Sequence, residues 1–187
     1  MIYIVDDFLP DNLLTDLYNY IDEFTEVKTP GKSFWIKKLP EDFISYMVKR
    51  LEKIEGKKIK NILSFIREAN ENQDDEWRIH NDTVIENQQP DRAVVFYLKS
   101  NEIELNGTAL WEHKKYGDQY DNDSIEEFNR LLIEDANDES KWNLKTIIGS
   151  KDNRLLSYPC NYFHSKYPNK FNKQRIVLVM FYKYERK

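Results

Sequence analysis

The sequence predicts an α+β protein that is mainly β, with a double-sheet jelly roll supported by amino-terminal helices. Before residue 58 the apolar residues recur with the period of amphipathic helices, whereas after it they fall mostly in short runs typical of strands. Several short strands after a helical layer are typical of two packed sheets with helices against one face. We therefore expect one domain, residues 1–187, with helical support in residues 1–57 and the jelly-roll core in residues 58–187.

The amino-terminal part is expected to contain a short strand and two helices. Residues 2–5 are apolar, and the first helix follows Pro10. Pro40 begins the second helix and Gly56 ends it, in keeping with the preference for proline in the first turn and glycine after the last. Residues 33–39, between the helices, fit a further strand. The predicted apolar faces consist of Leu13, Leu14, Leu17, Ile21 and Phe24 in the first helix and Phe43, Ile44, Met47, Val48, Leu51 and Ile54 in the second.

The predicted core strands occupy residues 59–66, 77–80, 93–98, 108–111, 142–148, 154–158 and 176–182. Residues 93–98 and 176–182 are almost continuously apolar, so both of their faces must be covered and we expect them in the middle of a sheet. Residues 113–141 interrupt the strand pattern with a helical segment that follows a predicted cap at residues 121–124. This insertion is either a lid over a substrate or a solvated loop, and the sequence favours neither.

Composition and charge exclude several classes of protein. The net charge is −5, and the basic residues are scattered among acidic ones, which argues against a nucleic-acid-binding surface. Cys160 is the only cysteine, so no internal disulfide can form and a reducing, cytoplasmic environment is expected. No apolar run is long enough to span a bilayer, and the first residues lack the features of a signal peptide. We therefore expect a soluble protein without a membrane partner.

His80 and Asp82 are the first candidates for a metal site. They lie two residues apart in an extended run, where side chains alternate between faces, so both are expected to point the same way. Alone, the motif is better explained as a hydrogen-bonded strand histidine with an aspartate partner. A second imidazole, that of His164, follows Asp82 by 82 residues (164 − 82). Two imidazoles and one carboxylate form the facial ligand set of non-heme Fe(II) sites, which leaves three coordination positions open.

Arg175 is a candidate for binding an anionic cosubstrate. It follows His164 by 11 residues (175 − 164) and begins the most apolar strand of the chain. A guanidinium at the start of a buried strand needs an anionic partner, because burial of an isolated charge is costly. Its planar, bidentate geometry suits a dicarboxylate cosubstrate, and a structural ion pair is the alternative.

Five segments, in their order and spacing, resemble the Fe(II)- and 2-oxoglutarate-dependent dioxygenases, and within them the prolyl-hydroxylase-like branch. The segments are Trp-Arg-Ile-His80-Asn-Asp82, Val-Val-Phe-Tyr97-Leu-Lys, Asn-Gly107-Thr-Ala-Leu, Asn-Arg-Leu-Leu-Ser-Tyr-Pro followed by Asn-Tyr-Phe-His164, and Gln-Arg175. The resemblance implies that the jelly roll is a double-stranded β-helix. It also implies that His80, Asp82 and His164 bind iron, and that Arg175 and Tyr97 bind the far carboxylate of 2-oxoglutarate.

The resemblance further implies a hydroxylase. Such an enzyme would use Fe(II), 2-oxoglutarate as cosubstrate and dioxygen, with ascorbate as an optional reductant, and would release succinate and carbon dioxide. Its substrate would be a peptidyl, prolyl-like residue or a small molecule. Asp82 favours hydroxylation, because related iron halogenases lack this carboxylate. The chain departs from the family pattern twice: Val177 replaces the hydroxyl residue that many relatives carry two places after the arginine, and Asn106-Gly107 replaces a paired glycine.

Several alternatives are open at this level. A cupin-like jelly roll that binds metal without catalysis, or an oxidative dealkylase of nucleic acids, would share the ligand set. His113 is expected to be a surface histidine at a strand end, and Cys160 a small packed residue. Tyr97 would be an ordinary core residue without the resemblance. Arg67 and Asn70, just upstream of the histidine motif, are candidates for contacts with the cosubstrate or the substrate.

Overall fold

A computed structural model of the protein describes residues 1–21, 23–29, 32–69, 78–99, 106–121, 124–168 and 175–186. Within these ranges the strands are β1 (Tyr3–Val5), β2 (Thr25–Thr29), β3 (Lys32–Lys38), β4 (Ile59–Ala69), β5 (Arg92–Leu98), β6 (Gly107–His113), β7 (Trp142–Gly149), β8 (Arg154–Pro159), β9 (His164–Tyr167) and β10 (Arg175–Tyr184). The α-helices are α1 (Asp11–Tyr20), α2 (Glu41–Glu55) and α3 (Ile125–Arg130), and a π-helical turn, Leu131–Asp135, continues α3.

The strands form two antiparallel sheets. The major sheet has seven strands in the order β1-β8-β5-β10-β4-β3-β2, and the minor sheet has three in the order β7-β6-β9. The two most apolar strands, β5 and β10, pair with each other in the interior of the major sheet, as predicted from their continuous apolar sequence. A mainly β fold with two sheets and supporting helices is therefore confirmed.

The first 57 residues contribute strands as well as helices. β1 pairs with β8 at one edge of the major sheet, and β3 and β2 extend the other edge beyond β4. The sequence predicts β1 and β3 but misses β2, because its residues are mostly polar. The amino-terminal segment is thus woven into the sheet, while the assignment of the whole chain to one domain stays a prediction.

Helices α1 and α2 pack against one face of the major sheet, together with alternate residues of β10. Leu17, Met47 and Leu51 are almost completely buried there, and burial of each such side chain contributes about 2 kcal/mol. As predicted, α2 begins after Pro40 and ends at Gly56, whose φ of 67° is a left-handed conformation that glycine adopts without strain. None of the helices in the described ranges combines the length and the apolar character that a membrane crossing requires.

A second apolar cluster lies on the other face of the major sheet and joins it to the minor sheet. Its members include Val177 and Phe181 of β10, Tyr97 of β5, Tyr158 of β8 and, from the minor sheet, Leu110. Successive residues of a strand point to opposite faces, so β10 supplies both this cluster and the one beneath the helices. That double burial explains why β10 is apolar at nearly every position.

The insertion after β6 folds against the minor sheet. Leu131, at the start of the π-helical turn, packs with Trp111 and Trp142 of the sheet. Ser124 caps α3 by accepting a hydrogen bond from the backbone N–H of Glu127 (3.4 Å), which confirms the last residue of the predicted cap. Residues 122 and 123 of that cap lie outside the described residues. Whether the insertion acts as a lid stays a prediction.

The prediction that His113 lies at the surface is wrong. Its side chain is only 4% exposed, and its Nε2 atom lies 3.1 Å from Oδ2 of Asp135. Nδ1 accepts a hydrogen bond from the backbone N–H of Lys115, so Nε2 carries the proton and donates it to Asp135. Arg130 also contacts Asp135. The strand end is covered because the insertion folds back over it, which its local sequence does not reveal.

Candidate metal centre

The three predicted ligands, His80, Asp82 and His164, lie together. His164 begins β9 of the minor sheet, whereas His80 and Asp82 belong to a segment outside the named strands. The prediction of a strand at residues 77–80 is therefore wrong for its described part, where residue 80 forms only an isolated β-bridge with His164. Trp77 lies outside the described residues. The segment lacks a longer strand pairing because its partner, β9, pairs with β6 instead.

Backbone hydrogen bonds hold the ligand-bearing segments together. The N–H of His80 donates to the carbonyl of His164 (3.1 Å), and the N–H of His164 donates back to the carbonyl of His80 (2.8 Å). The N–H of Asp82 donates to the carbonyl of Cys160 (2.8 Å), in the turn after β8. These bonds join residues that are far apart in the sequence, so the main chain brings the ligands together.

The side chains of the three residues converge on one point. One potential ligand atom from each lies within 4.8 Å of the other two. Nε2 of His164 is 3.2 Å from Oδ2 of Asp82, and Nε2 of His80 is 3.8 Å from Oδ1 of the same carboxylate. Atoms that each bind one ion at about 2.1 Å stand roughly 3 Å apart, so small movements suffice for all three to share an ion.

The hydrogen bonds of the imidazoles determine which nitrogen faces the site. Nδ1 of His80 lies 3.3 Å from the carbonyl oxygen of Arg78, and Nδ1 of His164 lies 3.1 Å from that of Tyr162. A carbonyl oxygen can only accept, so each Nδ1 carries a proton and donates it. In the neutral imidazole each Nε2 then offers a lone pair to the site, which is the arrangement found in metal-binding histidines.

The electrostatics of the site keep Asp82 charged. Burial alone would raise the pKa of Asp82, but His164 and, to a smaller extent, His80 and Arg67 outweigh this effect and lower the pKa. The side chain of His80 is 33% exposed and that of His164 is 9% exposed, so the site opens to solvent on the side of His80. A buried carboxylate that faces two imidazoles suits a divalent cation.

Arg175 and Tyr97, the two residues predicted to bind the cosubstrate, contact each other. Cζ of Arg175 lies 5.5 Å from the centre of the Tyr97 ring, a cation–π contact. Nη1 of Arg175 donates to the carbonyl of Gly107 (2.8 Å), and the hydroxyl of Tyr97 donates to Oγ1 of Thr108 (2.8 Å). The structure therefore forms a polar pocket from β5, β6 and β10, to which the sequence predicted only two of the four contributors.

Val177 adds no polar group to this pocket, although it pairs directly with Tyr97 across β5 and β10. This is the position where the family resemblance leads one to expect a hydroxyl residue. The buried hydroxyl of Thr108 instead reaches Tyr97 from the minor sheet. The missing hydroxyl is thus matched by one from the facing sheet, which a comparison of linear motifs cannot detect.

Gly107 is required by the close approach of β6 and β7. A Cβ atom at this position would lie 1.9 Å from the carbonyl oxygen of Ile148. We expect Gly107→Ala to lower the free energy of unfolding by about 3 kcal/mol, because the strands must separate. As a control, Gly56→Ala meets no atom within 4 Å, and its left-handed φ should cost only about 1 kcal/mol. Urea unfolding measures both, and equal losses would contradict the steric explanation.

Tyr158 is a site residue that the sequence does not single out. Its ring centre lies 4.8 Å from that of His164, and its side chain is 1% exposed. Burial, reinforced by the charge of Asp82, raises the pKa of Tyr158 well above its usual value, so the phenol stays protonated. Tyr97 and Arg175 also affect this hydroxyl electrostatically. Tyr158 therefore connects the metal ligands with the Arg175 pocket, and its only sequence signal is its place in the segment Ser-Tyr-Pro.

The remaining candidates have mixed outcomes. Arg67 lies on β4, pairs with Val177 and contributes to the lowered pKa of Asp82, so it faces the same region. Asn70 lies outside the described residues. Cys160 is buried, which confirms that it is a small packed residue.

Comparison with known proteins shows likeness in fold. No family model and no curated protein matches the chain by sequence. A prolyl-4-hydroxylase from Pseudomonas putida matches 99% of this chain over 93% of its own, with a TM-score of 0.58 and 10% identity. SnoK, a non-heme α-ketoglutarate-dependent carbocyclase of nogalamycin biosynthesis, matches 97% over 78%, with a TM-score of 0.65 and 13% identity. HygX from Streptomyces hygroscopicus, with nickel, 2-oxoglutarate and hygromycin B bound, matches 97% over 82%, with a TM-score of 0.63 and 6% identity.

These matches extend over nearly the whole chain, including the amino-terminal helices and both sheets. At such low identity they concern the path of the backbone and not the identity of side chains. They confirm the predicted architecture. The chain has the double-stranded β-helix fold, backed by amino-terminal helices, that is found in 2-oxoglutarate-dependent oxygenases of known structure.

Proposed function

We propose that the protein is an Fe(II)- and 2-oxoglutarate-dependent oxygenase that hydroxylates a peptidyl, prolyl-like residue or a small molecule. The observation that carries this proposal is the convergence of His80, Asp82 and His164 on one point, within a fold shared with such enzymes. The pocket formed by Arg175 and Tyr97 supports it further. A protein that only held a metal ion would not need a guanidinium suited to a dicarboxylate.

Fe(II) would be held by Nε2 of His80, Nε2 of His164 and the carboxylate of Asp82. This donor set suits ferrous iron and leaves three positions for exogenous ligands. When bound, the iron lets 2-oxoglutarate react with dioxygen, so that one oxygen atom enters succinate as carbon dioxide leaves and the other enters the substrate.

The residues of the chain would orient the reactants and shield them from water. The Nδ1 hydrogen bonds of the two imidazoles fix their rings and keep each Nε2 directed at the metal position. Arg175 would pair with the far carboxylate of 2-oxoglutarate, and the hydroxyl of Tyr97 would lie beside it. Burial between the two sheets limits access of water to the reacting groups.

The substrate class is proposed from the fold neighbours and from Asp82. One neighbour is a prolyl-4-hydroxylase, and another was crystallised with hygromycin B. The carboxylate of Asp82, together with the family resemblance, favours hydroxylation over halogenation. The exposed side of His80 is where we expect a substrate to approach.

The proposed function is tested by adding 2-oxoglutarate to the Fe(II)-loaded protein without oxygen. We expect a visible charge-transfer absorption, because the oxo acid would coordinate the iron through its carboxylate and ketone oxygens. Glutarate, which lacks the ketone, is the matched control and should give none. Admission of air with peptides, amino acids or oligonucleotides should then reveal a substrate by succinate release. Iron binding without any absorption or heat of 2-oxoglutarate binding would instead indicate a metal-binding jelly roll without this activity.

A further inference from the structure

Tyr158 carries a buried hydroxyl for which the described residues provide no hydrogen-bond partner. Two other tyrosines of the chain, Tyr97 and Tyr182, are as deeply buried. The hydroxyl of Tyr97 donates to Thr108, and that of Tyr182 donates to Glu55. A phenol removed from water without a partner is costly, so Tyr158 stands out as a group that awaits an acceptor.

The surroundings of Tyr158 indicate where that acceptor would lie. The Tyr158 ring packs against the imidazole of His164, with ring centres 4.8 Å apart. Its hydroxyl is affected by Asp82 on one side and by Tyr97 and Arg175 on the other, and the influence of Asp82 is the strongest of the three. The hydroxyl therefore lies between the metal ligands and the Arg175 pocket, nearer to the metal ligands.

We propose that Tyr158 donates a hydrogen bond to the 2-oxo acid end of the cosubstrate, the end nearest the metal. This inference rests on the proposed function. The carboxylate and ketone oxygens of a 2-oxo acid can only accept hydrogen bonds, which complements a phenol that stays protonated. The far carboxylate already has Arg175 and Tyr97 for partners, whereas no hydrogen-bond donor other than Tyr158 has been identified for the metal-proximal end.

The test compares 2-oxoglutarate binding to the Ni(II)-loaded wild type and the Ni(II)-loaded Tyr158→Phe variant by calorimetric titration. Nickel avoids oxidation and allows binding to be measured without turnover. Tyr158→Phe removes only the hydroxyl, and we expect it to raise the Kd for 2-oxoglutarate about tenfold, the usual effect of a hydrogen bond to a charged acceptor.

A double-variant cycle locates the hydrogen bond along the cosubstrate. Arg175→Gln acts on the far carboxylate and Tyr158→Phe on the other end, so their effects on the Kd should multiply in the double variant. A double variant no weaker than Arg175→Gln alone would place Tyr158 at the tail and overturn the proposal.

Two controls separate binding from structure. Tyr182→Phe removes an equally buried hydroxyl on the helix side of the major sheet, so it should lower the Tm and leave the Kd for 2-oxoglutarate unchanged. Tyr158→Phe should leave the Tm of the metal-free protein unchanged or higher, because its hydroxyl has no partner there. The affinity of Tyr158→Phe for Ni(II) itself should also be unchanged.

The failures of this inference and of the proposed function look different. If the wild type binds 2-oxoglutarate and Tyr158→Phe binds it equally well, the inference is overturned and the proposed function stands. If Tyr158→Phe loses affinity for Ni(II) itself, the tyrosine only supports His164, which also overturns the inference. If the Ni(II)-loaded wild type binds no 2-oxoglutarate, both the proposed function and the inference fail.

Discussion

Replacing His164 with alanine is expected to abolish metal binding and, with it, the release of succinate from 2-oxoglutarate. Its Nε2 atom lies 3.2 Å from the carboxylate of Asp82 and faces the site because Nδ1 is held by the carbonyl of Tyr162. Loss of a residue that merely orients a ligand lowers metal affinity about 10–100-fold. Loss of a ligand should therefore exceed about 100-fold, and His80→Ala and Asp82→Ala should behave alike. Anaerobic titration with Fe(II), or titration with Ni(II), measures the change.

The third histidine of the chain provides the matched control. His113 lies beneath the insertion and not among the candidate ligands. His113→Gln should retain the affinity for metal while lowering the Tm, because the hydrogen bond of His113 to Asp135 is disturbed. Undiminished metal affinity or turnover in any of the three ligand variants would refute the assignment of these residues to the metal.

Arg175→Gln is expected to weaken the binding of 2-oxoglutarate by about 30–100-fold without changing the affinity for the metal. The guanidinium would form a bidentate, charge-assisted pair with the far carboxylate, and a hydrogen bond to a charged group contributes about 1.5–3 kcal/mol. Arg175→Lys keeps the charge but not the planar fork, so its Kd should lie between those of the wild type and Arg175→Gln. Titration of the Ni(II)-loaded variants with 2-oxoglutarate gives each Kd.

Arg154 offers a matched control for the loss of a guanidinium. It pairs with Tyr97 across β8 and β5, but its charge is engaged by Asp6, with Nε 2.6 Å from the carboxylate. Arg154→Gln should therefore leave the Kd for 2-oxoglutarate unchanged. If Arg175→Gln also binds 2-oxoglutarate like the wild type, Arg175 is a structural residue that supports the carbonyl of Gly107, and the cosubstrate pocket lies elsewhere.

The elements that bury both faces could be predicted from the sequence. β5 and β10 are continuous apolar runs, and the helices show apolar residues at helical spacing between a proline and, for α2, a glycine. β9 has only four residues, two of them polar and one charged, so it lacks a strand pattern of its own. It exists because β6 provides its hydrogen-bond partners, which is a property of the tertiary structure.

The candidate site shows the same division between local and tertiary information. His80, Asp82 and His164 could be proposed from residue type and spacing, because few side chains can bind ferrous iron. The contact of Arg175 with Gly107 involves a backbone carbonyl, which leaves no trace in residue identity. Tyr158 looks like an apolar core residue in a strand of mixed leucine and tyrosine, and only its packing against His164 reveals another role.

The reciprocal backbone bridge between His80 and His164 also determines when during synthesis the site can form. The two residues are 84 positions apart (164 − 80), and most strands of both sheets are encoded between them or before them. A growing chain therefore lacks the third ligand until nearly all of it has left the ribosome. An ion held by all three side chains would stabilise the folded chain relative to the unfolded one. Metal uptake is thus expected to be a late event of maturation, coupled to the docking of β9.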